Sequence, residues 1–359
     1  MYYPDQRYVS ELTVIRREAL LPEEAIGTIR VMEGKRVDIR DIVANGVIPS
    51  RYVILNVADY FNIRKKEKLA ELLHVKAGDV IEENQVIAGK SLERGKRLMS
   101  PIKGMVARIE DEGTRVILQE LPDVLDVEAG VRGRVMHVEP GRGVIIESIG
   151  AQTQGVWGNG KNVIASFRDE PSTGLETIVS DSLEQRYNGT IVLTRFPLTA
   201  NGFRVIKVQG ITGVIAPSMD SSLIPLAQAS NASILLTEGF GNIRMSNTVH
   251  GILKSFTENV VTLDAYMPSR FETRTPEVII NINPRDAKPT PPNLQLALRE
   301  GMTVRVTRAP HLGLTGKVVA LPKLPVKLPN GLRVPSARVE LISGETADIP
   351  VANLEVLGR

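Results

Sequence analysis

The chain has 359 residues, with 44 Lys/Arg, 41 Asp/Glu, four His and no Cys. At roughly 100–200 residues per domain this length predicts several modules, each able to bury a core. The lack of Cys excludes disulfides, thiolate zinc sites, iron–sulfur clusters and cysteine nucleophiles. His74, His137, His250 and His311 are too widely spaced for an HExxH or HxxxH pair, so neither a metal nor a cofactor is expected. The charged first residues contain no secretory-type apolar run, and no segment approaches the ~18 apolar residues of a membrane span. A cytoplasmic, membrane-free protein is the expectation.

Residues 1–20 read as a loosely organised arm. From Gly27 onward a Val-x-x-Gly pattern recurs, from Val31 to Gly34, Val75 to Gly78 and Val138 to Gly141, and each is followed by another β-branched run. Branched side chains that enter a glycine turn and leave as a second short strand suit a small β-sandwich or barrel. Between the first two units lies an apolar run at 52–61, and beyond it Leu69, Leu72 and Leu73 have helical spacing. The neighbouring Arg64, Lys65, Lys66 and Lys68 read as a phosphate-binding patch or, with Glu67 interleaved, as a solvated helix face.

Within 74–120 a Gly78-Asp79-Val80 turn is followed by Ser100-Pro-Ile-Lys-Gly-Met-Val106. The two halves resemble the barrel-sandwich hybrid, the biotinyl/lipoyl-like fold. That resemblance implies a modified lysine on the hairpin between the halves, where Lys96 stands between Gly95 and Arg97. Arg97 beside it departs from the Met, acidic or small neighbours usual in carriers, so the resemblance implies a structural or docking relative rather than a carrier.

Gly155 to Lys161 has the GxxxxGK spacing of a P-loop, but Asn162 replaces the magnesium-binding Ser or Thr. A strand-like run follows where a P-loop opens a helix, so a glycine-rich turn is expected. Four apolar runs come next, at 189–194, 211–216, 232–237 and 259–264, with helical segments at 221–230 and 246–256 between the later ones. Apolar strands alternating with helices predict βαβ units on a parallel sheet. Ligands in such sheets bind at the carboxyl ends of strands, which selects Ser218, Asp220 and Ser221, and Glu238, Gly239 and Gly241. Asp220 and Glu238 read as a carboxylate pair for acid–base or magnesium chemistry, or as a helix cap and a solvated side chain. Gly239 and Gly241 frame Phe240 as a candidate anion-accepting nest.

Four prolines within 283–293 mark a linker. Beyond it, Gly301-Met-Thr-Val-Arg-Val306 and then Gly313, Gly316, Val318 and Val319 resemble the KOW motif of small SH3-like barrels, found in ribosomal proteins and transcription elongation factors. Ala309-Pro310 departs from the glycine that often follows the first strand. Residues 301–359 hold eight Lys/Arg against four Asp/Glu, while the preceding 300 residues are close to neutral. Arg305, Arg308, Lys317, Lys323, Lys327, Arg333 and Arg338 occupy a stretch with no acid at all, the pattern of a polyanion-binding face. The tail has no aromatic residue, so base stacking is unavailable and nucleic-acid contact would be to phosphate.

The expected fold class is multidomain α+β. It comprises an arm (1–20), a barrel-sandwich-like β domain with an inserted helix (21–135) and a Gly-rich β segment (136–187). A central α/β domain with a short parallel sheet (188–283), a Pro-rich linker (284–299) and a KOW/SH3-like β-barrel (300–359) follow. The expected function is a non-catalytic adaptor or scaffold whose basic module contacts RNA, the ribosome or an acidic protein surface. The alternatives are a ligand-binding protein or enzyme with a site at the strand ends of the α/β domain, and a carrier modified at Lys96.

Overall fold

A computed structural model describes residues 5–63, 65–110, 113–178, 186–267, 274–282, 289 and 297–357. The expected linker lies largely outside the described residues, as do Arg64 and the side chain of Lys66. The protein is strand-rich, with several sheets and few, short helices.

The largest sheet has eleven strands and is organised around Gly143–Gln154. This strand pairs antiparallel with Val9–Leu20 along nearly its whole length, and with Gly133–Glu139 and then Glu277–Asn281 on its other side. Val9–Leu20 corrects the expected arm. Its alternation places Thr13, Ile15, Arg17 and Ala19 inside and Arg16 and Glu18 outside, a period of two that suits a half-buried strand. The charge at Arg17 masks that pattern in the sequence, because it points inward.

Beyond Glu277–Asn281 the sheet continues through Val260–Ala265 to Lys161–Asp169, Thr190–Leu193, Gly213–Met219 and Ser233–Phe240. The last four run parallel to one another. Three of the four expected runs are therefore parallel strands, but the fourth, Val260–Ala265, is antiparallel to Lys161–Asp169. The two helices cover opposite faces of the sheet. Ala200–Gln209 packs Phe203 and Ile206 onto Val192, Val214 and Ile234 on one face. Asn247–Ser255 packs Val249 and Leu253 onto Phe167, Ile191 and Leu235 on the other, and the chain re-enters the sheet on the far side of Lys161–Asp169.

Local chemistry sets the helix ends. Thr199 caps the first of these helices by accepting the Asn201 and Gly202 N–H groups at 3.2 and 3.3 Å, and Ser246 caps the second by accepting that of Val249 at 3.3 Å. The expected helix at 221–230 is a 3-10 turn, Ser221–Leu223, leading into a short α-helix, Ile224–Ala229.

The described residues within 52–120 pack around Val57, Leu69, Ile81, Val106 and Leu118. The expected leucine-spaced helix is shorter than its pattern, Lys66–Ala70, so Leu69 is helical while Leu72 and Leu73 follow it in a turn and a bridge. Next to them, Asp123–Glu128, Ile42–Ile48 and Ile26–Ile29 form a three-stranded sheet. At the C-terminus, Thr303–Val306, Thr315–Ala320, Ser336–Leu341, Thr346–Pro350 and Leu354–Leu357 enclose Val304, Val318, Val339 and Val356. Asp5–Arg7 joins this sheet as a sixth strand, parallel to Leu354–Leu357. The first and last described strands thus pair in one sheet.

Inside the large sheet, the buried Arg17 is paired with Asp264 and lies 3.1 Å from Glu277, while Arg274 reaches Asp264 at 2.6 Å. Burial opposes ionisation of Asp264, but Arg17 and Arg274 outweigh it and hold the carboxyl below its ordinary range. Burial has the upper hand at Glu277 and raises its carboxyl despite Arg17. Asp264→Ala leaves the buried Arg17 only Glu277, whose ionisation burial opposes, and should lower unfolding free energy by about 3–5 kcal/mol in urea titrations. A depressed acid pKa stabilises the fold above the unfolded value of 3.8 and loses that contribution as pH falls through the folded value. In Asp264→Asn, the acid limb of a stability–pH curve should therefore be shallower than in the wild type.

Candidate functional site

The carboxyl ends of the parallel strands do carry a cavity, of about 360 Å³. Its walls are not those selected from the sequence. Glu170 follows the strand Lys161–Asp169, Thr194 follows Thr190–Leu193, and Phe196, Leu198, Thr199 and Asn242 close the space. Both Glu170 oxygens are engaged, accepting the Leu175 N–H at 2.9 Å and the Arg195 N–H at 2.6 Å. Burial lifts this carboxyl above its ordinary range, against the lowering effect of those two donors. The carboxylate therefore staples two loops together beneath a largely apolar pocket.

The residues chosen from the sequence are occupied by structural partners. The buried Ser218 Oγ lies 2.8 Å from both the Gly241 and Ile243 carbonyl oxygens and accepts the Ile243 N–H at 3.1 Å. Asp220 is an exposed cap, accepting the Ser222 hydroxyl at 2.6 Å and its N–H at 2.9 Å. The Ser222 hydroxyl, followed by that N–H, holds its carboxyl below the ordinary range. Ser221 is exposed in the turn. Gly239 and Gly241 have φ of 105° and 115°, a region favouring glycine. The Gly241 N–H turns back to the Met219 carbonyl at 2.9 Å and is not free for an anion.

Glu238 is not paired with Asp220 but faces the C-terminal sheet. It is buried, forms an ion pair with Arg305 and accepts the Ser246 N–H at 3.3 Å. Arg305 also lies 2.7 Å from Glu355, which Arg7 Nε approaches at 2.9 Å, and Arg7 donates to the Thr237 carbonyl. Two cations and two anions thus fill the seam between the large and C-terminal sheets. They line a cavity of about 370 Å³ with Arg308 at its edge. Burial, and then the nearby Arg7, bring the Arg305 guanidinium down to about 10, so it remains charged at neutral pH. Arg7 and Glu355 carry no local motif: Glu355 is set opposite Arg305 by the pairing of Leu354–Leu357 with Thr303–Val306, and Arg7 joins them because Asp5–Arg7 pairs with Leu354–Leu357.

This seam divides the basic tail. Arg305 is buried and unavailable to a partner, a correction to its expected place on a basic face. The acid-free stretch is acid-free in sequence but not in space. Arg338 forms a bidentate pair with Asp348 at 2.9 and 3.1 Å, and Lys317 stands directly across the sheet from Glu340. What remains is the exposed Arg308 and a hairpin. Val326–Lys327 pairs with Arg333–Val334, placing Lys327 opposite Arg333, with Lys323 exposed just before them. Like charges directly opposite one another are unfavourable unless something anionic lies against them. Lys323, Lys327 and Arg333 have no acidic partner among the described residues.

Two further sequence candidates are accounted for locally. Lys161 donates to the Ser230 carbonyl and opens a strand, while Asn159 donates to the Ala227 and Ala232 carbonyls at 2.9 Å, so the GxxxxGK segment braces a helix end. Lys96 donates to the Tyr60 carbonyl, with its ammonium 4.7 Å from the centre of the Tyr60 ring. Among the described residues no cluster of His, Asp and Glu is arranged to hold a metal. No described helix is long and apolar enough to cross a membrane. No protein-family model and no curated protein matches the chain.

The seam and the hairpin should separate cleanly on mutation. Arg305→Ala leaves Glu238 buried without its cation, with Glu355 held by Arg7 alone, and should cost about 3–5 kcal/mol in urea unfolding. Lys327→Ala, at an exposed position, should leave the unfolding midpoint unchanged.

Proposed function

We propose that this chain is a non-catalytic adaptor or scaffold whose C-terminal module docks an acidic protein surface through the hairpin at 323–333. The observation that carries the reading is the company the free cations keep. Leu324 is 79 % exposed and Leu332 59 % exposed on the same hairpin. Exposed leucines supply the apolar centre of a protein interface and the flanking cations its polar rim, whereas leucine adds nothing to a phosphate contact. The absence of aromatic residues from the tail removes the stacking platform of single-strand binders.

The finer architecture belongs to the same proposal. The C-terminal sheet with its own apolar core supports a KOW/SH3-like barrel, in which Gly313 has φ of 81° and lies so close to Ile243 that a Cβ would stand 2.8 Å from Cγ2. The compact core within 52–120 supports a barrel-sandwich relative used for structure rather than as a carrier.

Affinity purification of the tagged chain from its native host, with and without nuclease, tests the docking reading. The expected partner is a protein retained after nuclease and lost in the Lys323→Glu/Lys327→Glu/Arg333→Glu variant. A partner released by nuclease would replace the protein reading with an RNA one, and unchanged capture by the variant would end the hairpin's role. The strand-end cavity favours a second reading, small-ligand binding. That reading expects a rise in melting temperature with a bound metabolite, lost in Thr194→Val or Phe196→Ala.

A further inference from the structure

The hairpin's complement is present in the same chain. Residues 306–337 contain no Asp or Glu, whereas residues 110–128 contain seven against a single Arg. The acidic segment ends in the strand Asp123–Glu128, which among the described residues pairs on one side only, with Ile42–Ile48. Its register aligns Val124 with Val47, and Val47 with Ile26 on the third strand. These three side chains form a row across the sheet and are 75 %, 39 % and 74 % exposed. Asp126 and Glu128 are exposed farther along the same edge strand, and Ile42 is 43 % exposed on the central one. The other side of the sheet is fully used, since Val43, Ala44 and Val127 pack into the interior. An uncovered apolar row beside an open strand edge is a surface that soluble proteins usually guard or fill.

We propose that a second copy of this chain covers it, with the hairpin at 323–333 of one copy laid on the three-stranded sheet of the next. This rests on the hairpin being a protein-docking element and names its partner. Leu324 and Leu332 meet the Ile26–Val47–Val124 row, and Lys323, Lys327 and Arg333 meet Asp126 and Glu128 at its edge. Hairpin and sheet both remain exposed within one chain, so the contact is made between chains. Because the two surfaces differ, the assembly is head-to-tail. It grows beyond a dimer unless rotation closes it into a ring.

Sedimentation velocity of the purified, nuclease-treated full chain tests this. Wild type should form salt-sensitive species larger than a monomer. Lys323→Glu/Lys327→Glu/Arg333→Glu, which keeps the acidic sheet, and Asp126→Lys/Glu128→Lys, which keeps the hairpin, should each weaken self-association about tenfold or more. Mixing the two variants should restore salt-sensitive association, through the native contact from the intact hairpin of the second to the intact sheet of the first and through the charge-exchanged contact between the two reversed surfaces. If charge reversal disturbs the sheet by circular dichroism, Ile26→Ser/Val124→Ser supplies the sheet-defective partner instead. A wild type that stays monomeric at low salt and the highest attainable concentration, or a mixture that stays monomeric, overturns the proposal. If hairpin-dependent, nuclease-resistant capture from the host persists alongside a monomeric chain, the docking reading stands and only the second copy fails.

Discussion

A cation placed in the middle of an apolar strand governs the arrangement of this protein. Arg305 sits between the core residues Val304 and Val306 and, by strand alternation, points out of the C-terminal core. Removing a guanidinium from water costs several kcal/mol, and only close anions offset that cost. Glu238 supplies one from the end of a parallel strand of the large sheet, and Glu355 supplies the other from the C-terminal sheet itself. Any packing of the two sheets that separates Arg305 from Glu238 leaves Glu238 without its cation and Arg305 with Glu355 alone. The seam is therefore specific in its geometry. The strand Asp5–Arg7 reinforces it, bringing a second arginine to Glu355 while the next residues cross into the large sheet.

The functional surface follows from this arrangement. The seam and the pairs Arg338–Asp348 and Lys317–Glu340 account for the basic residues nearest the C-terminal core. The charge left without acidic neighbours is concentrated on a two-stranded hairpin, among exposed leucines. Charge on such a projecting element steers and orients a partner more than it stabilises the fold. The strand-end cavity, by contrast, is built from groups already bonded to the backbone around it.

Much of the secondary structure was legible in the chain, because local patterns produce it. The runs at 189–194, 211–216 and 232–237 are strands and Ser246 does open a helix, whereas of the spaced leucines only Leu69 is helical, Leu72 and Leu73 following the helix end. The strand Lys161–Asp169 was passed over as the first of the parallel set, so Glu170, at its carboxyl end, was passed over with it. Val9–Leu20 was obscured because an inward Arg17 breaks the apolar period, and its partners Asp264 and Glu277 lie more than two hundred residues away in sequence. Asp220 and Glu238 were read together because they end neighbouring strands, yet each side chain is taken by a different partner.

The sequence by itself determined that this chain is strand-rich, free of cysteine chemistry and basic toward its C-terminus. These properties follow from side-chain type and short-range period. Tertiary structure alone decided which charges are exposed. Arg305 and Lys327 are equivalent members of one acid-free stretch, yet one is buried against two glutamates and the other stands on a free hairpin. Alternation along a strand and the pairing of distant strands choose between those outcomes. Both act between residues that are far apart in the chain, where linear charge counts carry no information.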